Sequence, residues 1–124
     1  MKTTFLFLIL LILSISAFGQ NASRIADFEK QPKIAWKFKT TGPVISTPVV
    51  DEKMVYFGSL DSGLYALDKN NGTVRWTFGT YGKIRSTVCL DGEKLYLLSG
   101  DGNLYCINKN SGQEIWRFRT ATGY

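Results

Sequence analysis

Three tryptophans, Trp36, Trp76 and Trp116, recur at a strict spacing of forty residues. The residues around them repeat as well. When residues 36–75 are laid over residues 76–115 without a gap, fifteen of the forty positions are identical. A third copy begins at Trp116 and runs on to Tyr124. Self-similarity at this period favours an array of stacked supersecondary units over one irregular domain.

Each repeat contains four short runs rich in Val, Ile, Leu, Tyr and Phe, separated by turn sequences such as Asp61-Ser62-Gly63. The predicted strands cover 44–50, 54–59, 64–68 and 73–80 in the first repeat, and 84–90, 94–99, 104–108 and 113–120 in the second. A further strand is predicted over 34–40. Four antiparallel strands per forty residues predict an all-β fold built from propeller blades. The repeat region is 34–124, with one blade over 41–80 and the other over 81–120.

The first nineteen residues have the pattern of a secretory signal peptide. Lys2 is followed by an apolar run from Phe5 to Ile15, and small residues, Ala17 and Gly19, precede the predicted cleavage site. The apolar run is about half of the ~20 residues that a membrane-spanning helix needs, which argues against an anchor. We therefore predict a signal peptide over 1–19, an irregular leader over 20–33, and export to a bacterial periplasm or the extracellular space without a transmembrane span.

The net charge and the rare residue types limit the classes of function that the sequence supports. The formal net charge is +5, but the basic residues are spread along the chain, so we expect a solvated surface and no nucleic-acid partner. The sequence contains no histidine, which removes the commonest metal ligand and His-based acid–base catalysis. Cys89 and Cys106 are predicted to lie two strands apart, ~9–10 Å, too far for a disulfide that needs about 7 Å. We expect both to be small buried residues.

The eleven residues from Ala66 to Trp76 follow the pattern A-x-D-x-x-x-G-x-x-x-W. This stretch resembles the tryptophan-docking motif of the PQQ-like β-propeller repeat family, the quinoprotein alcohol dehydrogenase-like propellers. The second repeat departs modestly, with Cys in place of Ala and Asn in place of Asp. WD40 repeats are the competing propeller class, but neither repeat has a Gly-His or Trp-Asp pair. The structural motif positions are Ala66, Asp68, Gly72, Trp76, Cys106, Asn108, Gly112 and Trp116, with Trp36 as the leading copy.

The residue types at the motif positions suit structural roles. Gly72 and Gly112 can adopt the positive φ of a tight turn, and Asp68 and Asn108 can hydrogen-bond with turn backbone groups. The resemblance implies that each tryptophan packs against the motif of the adjacent blade and ties the blades into a ring. We predict no catalytic, cofactor-binding or metal-binding residue in this chain.

The resemblance implies two classes of function. Some family members are enzymes that bind pyrroloquinoline quinone (PQQ) with calcium and oxidise alcohols or sugars. Others are non-catalytic propellers that bind proteins or other ligands. The enzymes use an adjacent cysteine pair, whereas Cys89 and Cys106 are seventeen positions apart. We expect a non-catalytic, exported scaffold that binds a protein or a glycan, without a cofactor. The alternative is a fragment of a PQQ-dependent alcohol or sugar dehydrogenase whose catalytic residues lie in missing blades, with PQQ and calcium as cofactors.

The number of blades indicates whether this chain is part of a larger propeller. A propeller ring needs roughly four to eight blades, and two blades alone leave large apolar faces exposed. We expect the chain to be the N-terminal part of a longer propeller, because residues 121–124 align with the linker that precedes a blade. Self-assembly into a ring and survival as an unstable remnant are the alternatives. The strand over 34–40 is expected to close the ring by joining a C-terminal blade.

Overall fold

The computed structural model describes residues 33–120. The predicted signal peptide, almost all of the predicted leader and residues 121–124 lie outside the described residues. Within this range the chain forms eight strands and no helix, which confirms the all-β prediction. The strands are β1 (Val49–Val50), β2 (Met54–Gly58), β3 (Gly63–Asp68), β4 (Val74–Gly79), β5 (Cys89–Asp91), β6 (Lys94–Leu98), β7 (Asn103–Asn108) and β8 (Glu114–Arg119). Accordingly, residues 33–120 contain no helix that is long and apolar enough to cross a membrane.

The strands make two antiparallel sheets of four, each a simple meander. The first sheet has the order β1-β2-β3-β4 and the second β5-β6-β7-β8. The two sheets share even their irregularity. Ala66 lies opposite Trp76 and Cys106 opposite Trp116, and the register shifts directly after each of these pairs. Identical residues at the same spacing thus produce two copies of one sheet, which together form an incomplete propeller.

The first strand of each repeat is shorter than predicted, covering only Val49–Val50 and Cys89–Asp91. The residues before β1 are held to the sheet by a side chain, because Ser46 Oγ donates a hydrogen bond to the carbonyl oxygen of Gly58 at 2.8 Å. The same bond recurs in the second repeat. Strand β1 begins directly after Pro48, and β5 begins directly after Val88 at the equivalent position, so this boundary does not depend on the proline.

The strand predicted over 34–40 is absent from the part of the chain that the structure describes. An outer strand needs a neighbour to share backbone hydrogen bonds, and none of the described strands pairs with these residues. They instead contact the first sheet through their side chains, as described below. We call residues 34–40 the leading segment.

The core lies between the two sheets. Because side chains alternate along a strand, each sheet turns one apolar face towards the other. Burying such faces is the main source of stability in a small all-β unit. The buried cluster consists of Met54, Tyr56, Leu64, Ala66, Trp76, Ile84, Val88, Leu95, Leu97, Tyr105 and Ile107.

The two cysteines are free and differ in exposure. Cys106 is fully buried, as expected, but Cys89 is exposed, so the prediction that both would be buried is wrong for Cys89. Its counterpart in the first repeat, Val49, packs against the core between the sheets. Cys89 occupies the same position on the second sheet, whose corresponding face is not covered by another described sheet.

Candidate functional site

The contact between the repeats centres on Trp76 in β4. Its Nε1 donates a hydrogen bond to the carbonyl oxygen of Lys109 at 2.9 Å, and its side chain is 9% exposed. A Cβ atom added to Gly112 would lie 2.6 Å from Trp76 Cδ2, so the indole lies directly against this glycine. Two residues further along β4, Phe78 meets the Tyr105 ring edge-on at 5.3 Å. One Trp-x-Phe strand thus covers the hairpin of the next repeat.

The leading segment makes the same contacts one repeat earlier. Trp36 Nε1 donates to the carbonyl oxygen of Lys69 at 2.8 Å, and a Cβ on Gly72 would lie 2.6 Å from Trp36 Cδ2. Phe38 lies 5.5 Å from the Tyr65 ring. The leading segment therefore occupies, on the first sheet, the place that β4 occupies on the second.

In β8 the same pair of aromatic residues is left exposed. Trp116 is 40% exposed and Phe118 62% exposed. Trp116 pairs with Cys106 across the ladder, so both lie on the face opposite the one that enters the core. Tyr96 and Leu98 lie on this face by the same alternation along β6. We call these four residues, Tyr96, Leu98, Trp116 and Phe118, the open face.

The open face already has the internal geometry of a covered one. The rings of Tyr96 and Trp116 are 6.0 Å apart, against 5.9 Å for Tyr56 and Trp76 in the first sheet. Tyr56 is fully buried by the second sheet. The aromatic pair on the open face is therefore arranged before any contact is made, which lowers the ordering cost of binding.

An ion pair crosses the edge of the contact between the repeats. Asp51 Oδ2 lies 3.4 Å from Lys109 Nζ and accepts a hydrogen bond from the Tyr56 hydroxyl at 3.1 Å. Burial alone would raise the pKa of Asp51, but hydrogen bonds from backbone N–H groups, Tyr56 and Lys109 outweigh burial and lower it. Asp91 and Tyr96 stand at the equivalent positions of the second repeat.

A second aspartate in each repeat fastens a turn. Asp101 accepts hydrogen bonds from the Tyr105 hydroxyl at 2.7 Å and from the N–H groups of Tyr81 and Asn103, both at 3.0 Å. Burial and the bond to Asp101 raise the pKa of Tyr105 to about 12. Burial would raise the pKa of Asp101, but these hydrogen bonds lower it below its usual value. An acid held ionised by its own fold is suited to a structural role and poorly suited to proton transfer.

This network predicts an acid-sensitive contribution to stability. Asp101→Ala leaves several donors unpaired and should lower the free energy of unfolding by about 2 kcal/mol. The folded pKa of Asp101 lies below the unfolded value of 3.8, so the contribution is complete above about pH 4 and is lost as the pH falls through the folded pKa. Urea unfolding at several pH values should show less acid destabilisation in the variant than in the wild type. Asp91→Ala, at an exposed position, is the control and should change stability by less than about 0.5 kcal/mol. Equal pH profiles of Asp101→Ala and the wild type would contradict the assignment.

The motif positions fall into two groups. Ala66 and Cys106 are fully buried beside their tryptophans. Asp68 and Asn108 lie in the turns, where each accepts a hydrogen bond from the N–H two residues on, at 2.9 and 3.0 Å. Asp68 also pairs with Arg75 at 2.7 Å. Within residues 33–120, no group of three or more Cys, Asp or Glu residues is placed to hold a metal ion.

Sequence reasoning missed two partners in these contacts. One is the phenylalanine two residues after each tryptophan, and the other is the backbone carbonyl of Lys69 or Lys109 that accepts the indole hydrogen bond. The phenylalanines were visible in the sequence, because Trp-x-Phe recurs three times at the same period. The carbonyl acceptors carry no side-chain signal, so the sequence does not reveal them.

Comparison with known protein families and structures gives a consistent result. Residues 17–123 match the family described as outer membrane protein assembly factor BamB. A comparison with curated protein sequences gave no match. The chain is similar in structure to BamB from Moraxella catarrhalis, with a TM-score of 0.65 and 22% identity over 72% of this chain.

Enzymes and a designed protein share the same fold. The quinohemoprotein alcohol dehydrogenase from Comamonas testosteroni is similar with a TM-score of 0.59 and 27% identity over 64% of this chain. The computationally designed Ika4 protein has a TM-score of 0.66 and 12% identity over 76% of this chain, which covers 58% of Ika4. This chain spans 28% of the Moraxella protein and 13% of the Comamonas enzyme. It therefore corresponds to a part of those propellers.

Proposed function

We propose that this chain, which belongs to the family of the outer membrane protein assembly factor BamB, is an exported, non-catalytic propeller component that binds a protein partner. The supporting match includes residues 17–123 and so extends over most of the chain. A name that describes an assembly factor points towards contacts with proteins. The expected location is the periplasm or the extracellular space, following the signal-peptide pattern of residues 1–19.

The observation that carries the proposal is the open face. Trp116 and Phe118 are exposed, whereas Trp76, in the same position on the first sheet, is 9% exposed because the second sheet covers it. An apolar patch of this kind is suited to contact with a further blade of the propeller or with a partner protein. Aromatic residues contribute most to such sites because they bury a large area with few rotatable bonds. A protein surface that supplies apolar contacts and a carbonyl acceptor for Trp116 Nε1 would meet these requirements, in the way that the Lys109 carbonyl accepts from Trp76 Nε1.

Site-specific photo-cross-linking in the producing cells tests the partner. A photoreactive amino acid at position 118 should give a discrete protein adduct, because that side chain lies on the open face. The matched control is position 78, where the equivalent Phe78 ring already contacts Tyr105, and it should give no intermolecular adduct. Trp116→Ala should reduce the adduct at position 118. No protein adduct at position 118, or an adduct that consists of glycan alone, would contradict the proposal.

The alternative is that the chain is part of a PQQ-dependent alcohol or sugar dehydrogenase. The similarity to the Comamonas enzyme, at 27% identity, is the observation that supports this alternative. Among residues 33–120, the aspartates Asp51, Asp61 and Asp101 are engaged in turns and in contacts with tyrosines, which suits them to structural roles more than to acid–base chemistry. Adding PQQ and calcium to the purified chain and assaying dye-linked alcohol oxidation separates the two classes. We expect no oxidation above the level of quinone alone; turnover would support the alternative.

A further inference from the structure

We propose that Tyr81, Lys83 and Arg85, which we call the cationic strip, bind an extended acidic segment of a partner protein. The strip lies in the linker between β4 and β5, which joins the first sheet to the second. Such binding would deepen the proposed function, on which it rests, by giving the partner a surface and a chemistry. It does not involve the open face, so it is compatible with a further blade after residue 120.

Side chains along this linker alternate between the core and the surface. Ile84 and Val88 are 0% and 4% exposed because they pack between the sheets, whereas Lys83 and Arg85 are exposed to solvent. Tyr81, at the start of the linker, is 89% exposed. Because every second side chain of an extended stretch points the same way, Lys83 and Arg85 share one side of the linker.

The exposure of the strip does not depend on the missing blades. The first repeat shows the same linker positions when a following sheet is present, because the second sheet covers the first. Thr41, Pro43 and Ile45 occupy these positions and are all exposed, Ile45 by 59%. A further blade packed on the second sheet in the same way would therefore leave the cationic strip accessible.

The two linkers agree at the positions that the fold needs and differ at the outward ones. Residues 41–47 read Thr-Gly-Pro-Val-Ile-Ser-Thr, and residues 81–87 read Tyr-Gly-Lys-Ile-Arg-Ser-Thr. Gly42 and Gly82 both lie so close to the backbone of a neighbouring turn that neither has room for a side chain. The outward positions are neutral in the first linker and carry a tyrosine and two cations in the second. The fold therefore does not require the strip, and Tyr and Arg are enriched at protein interfaces.

The cations of the strip have no acidic partner within residues 33–120. The ion pairs in this range involve Arg75, Lys109 and Arg117, and none of them includes Lys83 or Arg85. The two side chains are therefore available to an acidic ligand.

One carboxylate does contact the linker. Asp101 accepts a hydrogen bond from the N–H of Tyr81, and it is also engaged by Tyr105 and by the N–H of Asn103. Arg119 lies opposite Asn103 at the same end of the sheet and offsets the charge of Asp101. The positive charge of the strip is therefore not cancelled by its surroundings.

The spacing of the two cations indicates the form of the ligand. Residues i and i+2 of an extended chain are about 7 Å apart, so carboxylates at this spacing on an extended segment would meet Lys83 and Arg85 together. Arg85 can hold a carboxylate through two parallel hydrogen bonds, and Tyr81 offers an aromatic surface beside the acidic pair. Two cations suit such a segment better than a nucleic acid, whose binding relies on many phosphate contacts.

The backbone of the strip is held in position before any ligand binds. The N–H of Gly100 donates a hydrogen bond to the Lys83 carbonyl at 3.0 Å, and the N–H of Ile84 donates to the Ser59 carbonyl at 3.1 Å. The linker is thus fastened to both sheets. A fixed backbone lowers the ordering cost of binding to that of the side chains.

An NMR titration of the purified full-length protein tests the charge requirement. The probe is a synthetic peptide in which glutamate alternates with threonine, and the control peptide has glutamine in place of every glutamate. We expect the glutamate peptide to shift the signals of the strip and to bind at least about fivefold more tightly than the control, as two exposed ion pairs allow. Added salt should reduce the difference. Equal binding of the two peptides, or tighter binding of a DNA duplex, would overturn the inference.

The first repeat supplies a matched variant that keeps the fold. Lys83→Pro combined with Arg85→Ile installs the residues of the equivalent positions. A proline is compatible with this backbone, because the Pro43 carbonyl accepts the corresponding hydrogen bond from the N–H of Leu60 at 2.9 Å. The variant should keep the thermal unfolding of the wild type and lose the preference for the glutamate peptide. A preference that survives these substitutions would contradict the assignment of the strip.

Cross-linking in the producing cells tests the strip separately from the open face. A photoreactive amino acid at position 81 should give a protein adduct that disappears in the Lys83→Pro, Arg85→Ile variant. Position 41, which is also exposed but is followed by neutral outward residues, is the matched control and should give none. If position 118 gives a protein adduct and position 81 does not, the proposed function stands and this inference falls. An adduct at position 81 alone would assign the partner to the cationic strip.

Discussion

Replacing Trp76 with alanine should lower the free energy of unfolding by about 4 kcal/mol, in the range measured for buried Trp and Phe truncations. The side chain is 9% exposed and belongs to the core cluster between the sheets. Its loss removes the indole contact with Gly112 and leaves the Lys109 carbonyl without its hydrogen bond. Because typical domains are stable by only about 5–15 kcal/mol, urea unfolding followed by circular dichroism should show a large shift of the midpoint.

The chain contains its own matched control for this experiment. Trp116→Ala changes the same residue at the same position of the next repeat, but there the indole is 40% exposed. It should cost less than about 1 kcal/mol in the monomer. Trp36→Ala should fall between the two, since Trp36 is half-buried and keeps its bond to Lys69. Equal losses for Trp76 and Trp116 would show that the tryptophans stabilise their own sheets and do not connect the repeats.

Much of the architecture follows from the sequence because the period is strict. A forty-residue repeat with four strand-like runs has few packing solutions, and turn residues such as Asp61-Ser62-Gly63 mark where the strands end. The leading segment is the element that the sequence mispredicted. Its composition, Ile34 to Thr40, is as strand-like as that of β8, yet a strand exists only where another strand pairs with it. The local sequence pattern determines the tendency of a segment to be extended, but the presence of a neighbouring strand that pairs with it depends on the rest of the fold.

Cys89 was mispredicted for the same physical reason. Its small apolar side chain and its position in the repeat match Val49, which packs against the core. The burial of a side chain depends on whether another element covers the face of the sheet on which it lies, and the repeat pattern does not contain this information. The contacts of Trp36 and Trp76 were easier to anticipate, because Gly72 and Gly112 are needed both for their turns and for the space that an indole fills.

Gly112→Ala should be the second most damaging substitution, costing about 3 kcal/mol. Gly112 has φ +72°, a conformation that strains alanine by roughly 1 kcal/mol. The new Cβ atom would also lie 2.6 Å from Trp76 Cδ2, so the indole must shift and its bond to Lys109 must lengthen. Overpacking of this kind costs about 1–3 kcal/mol in addition.

Gly92→Ala separates the two effects. Gly92 also has a positive φ, +55°, but nothing lies within 4 Å of a Cβ atom added there. The free energy of unfolding of this variant should therefore fall only by the backbone strain of about 1 kcal/mol. The difference between the losses of the two variants measures the clash with the indole. In the background of Trp76→Ala the clash is gone, so Gly112→Ala should then cost no more than Gly92→Ala. If the effects of Gly112→Ala and Trp76→Ala are instead additive in this double-mutant cycle, then Gly112 is required only for the conformation of its turn and not for the packing of the Trp76 indole.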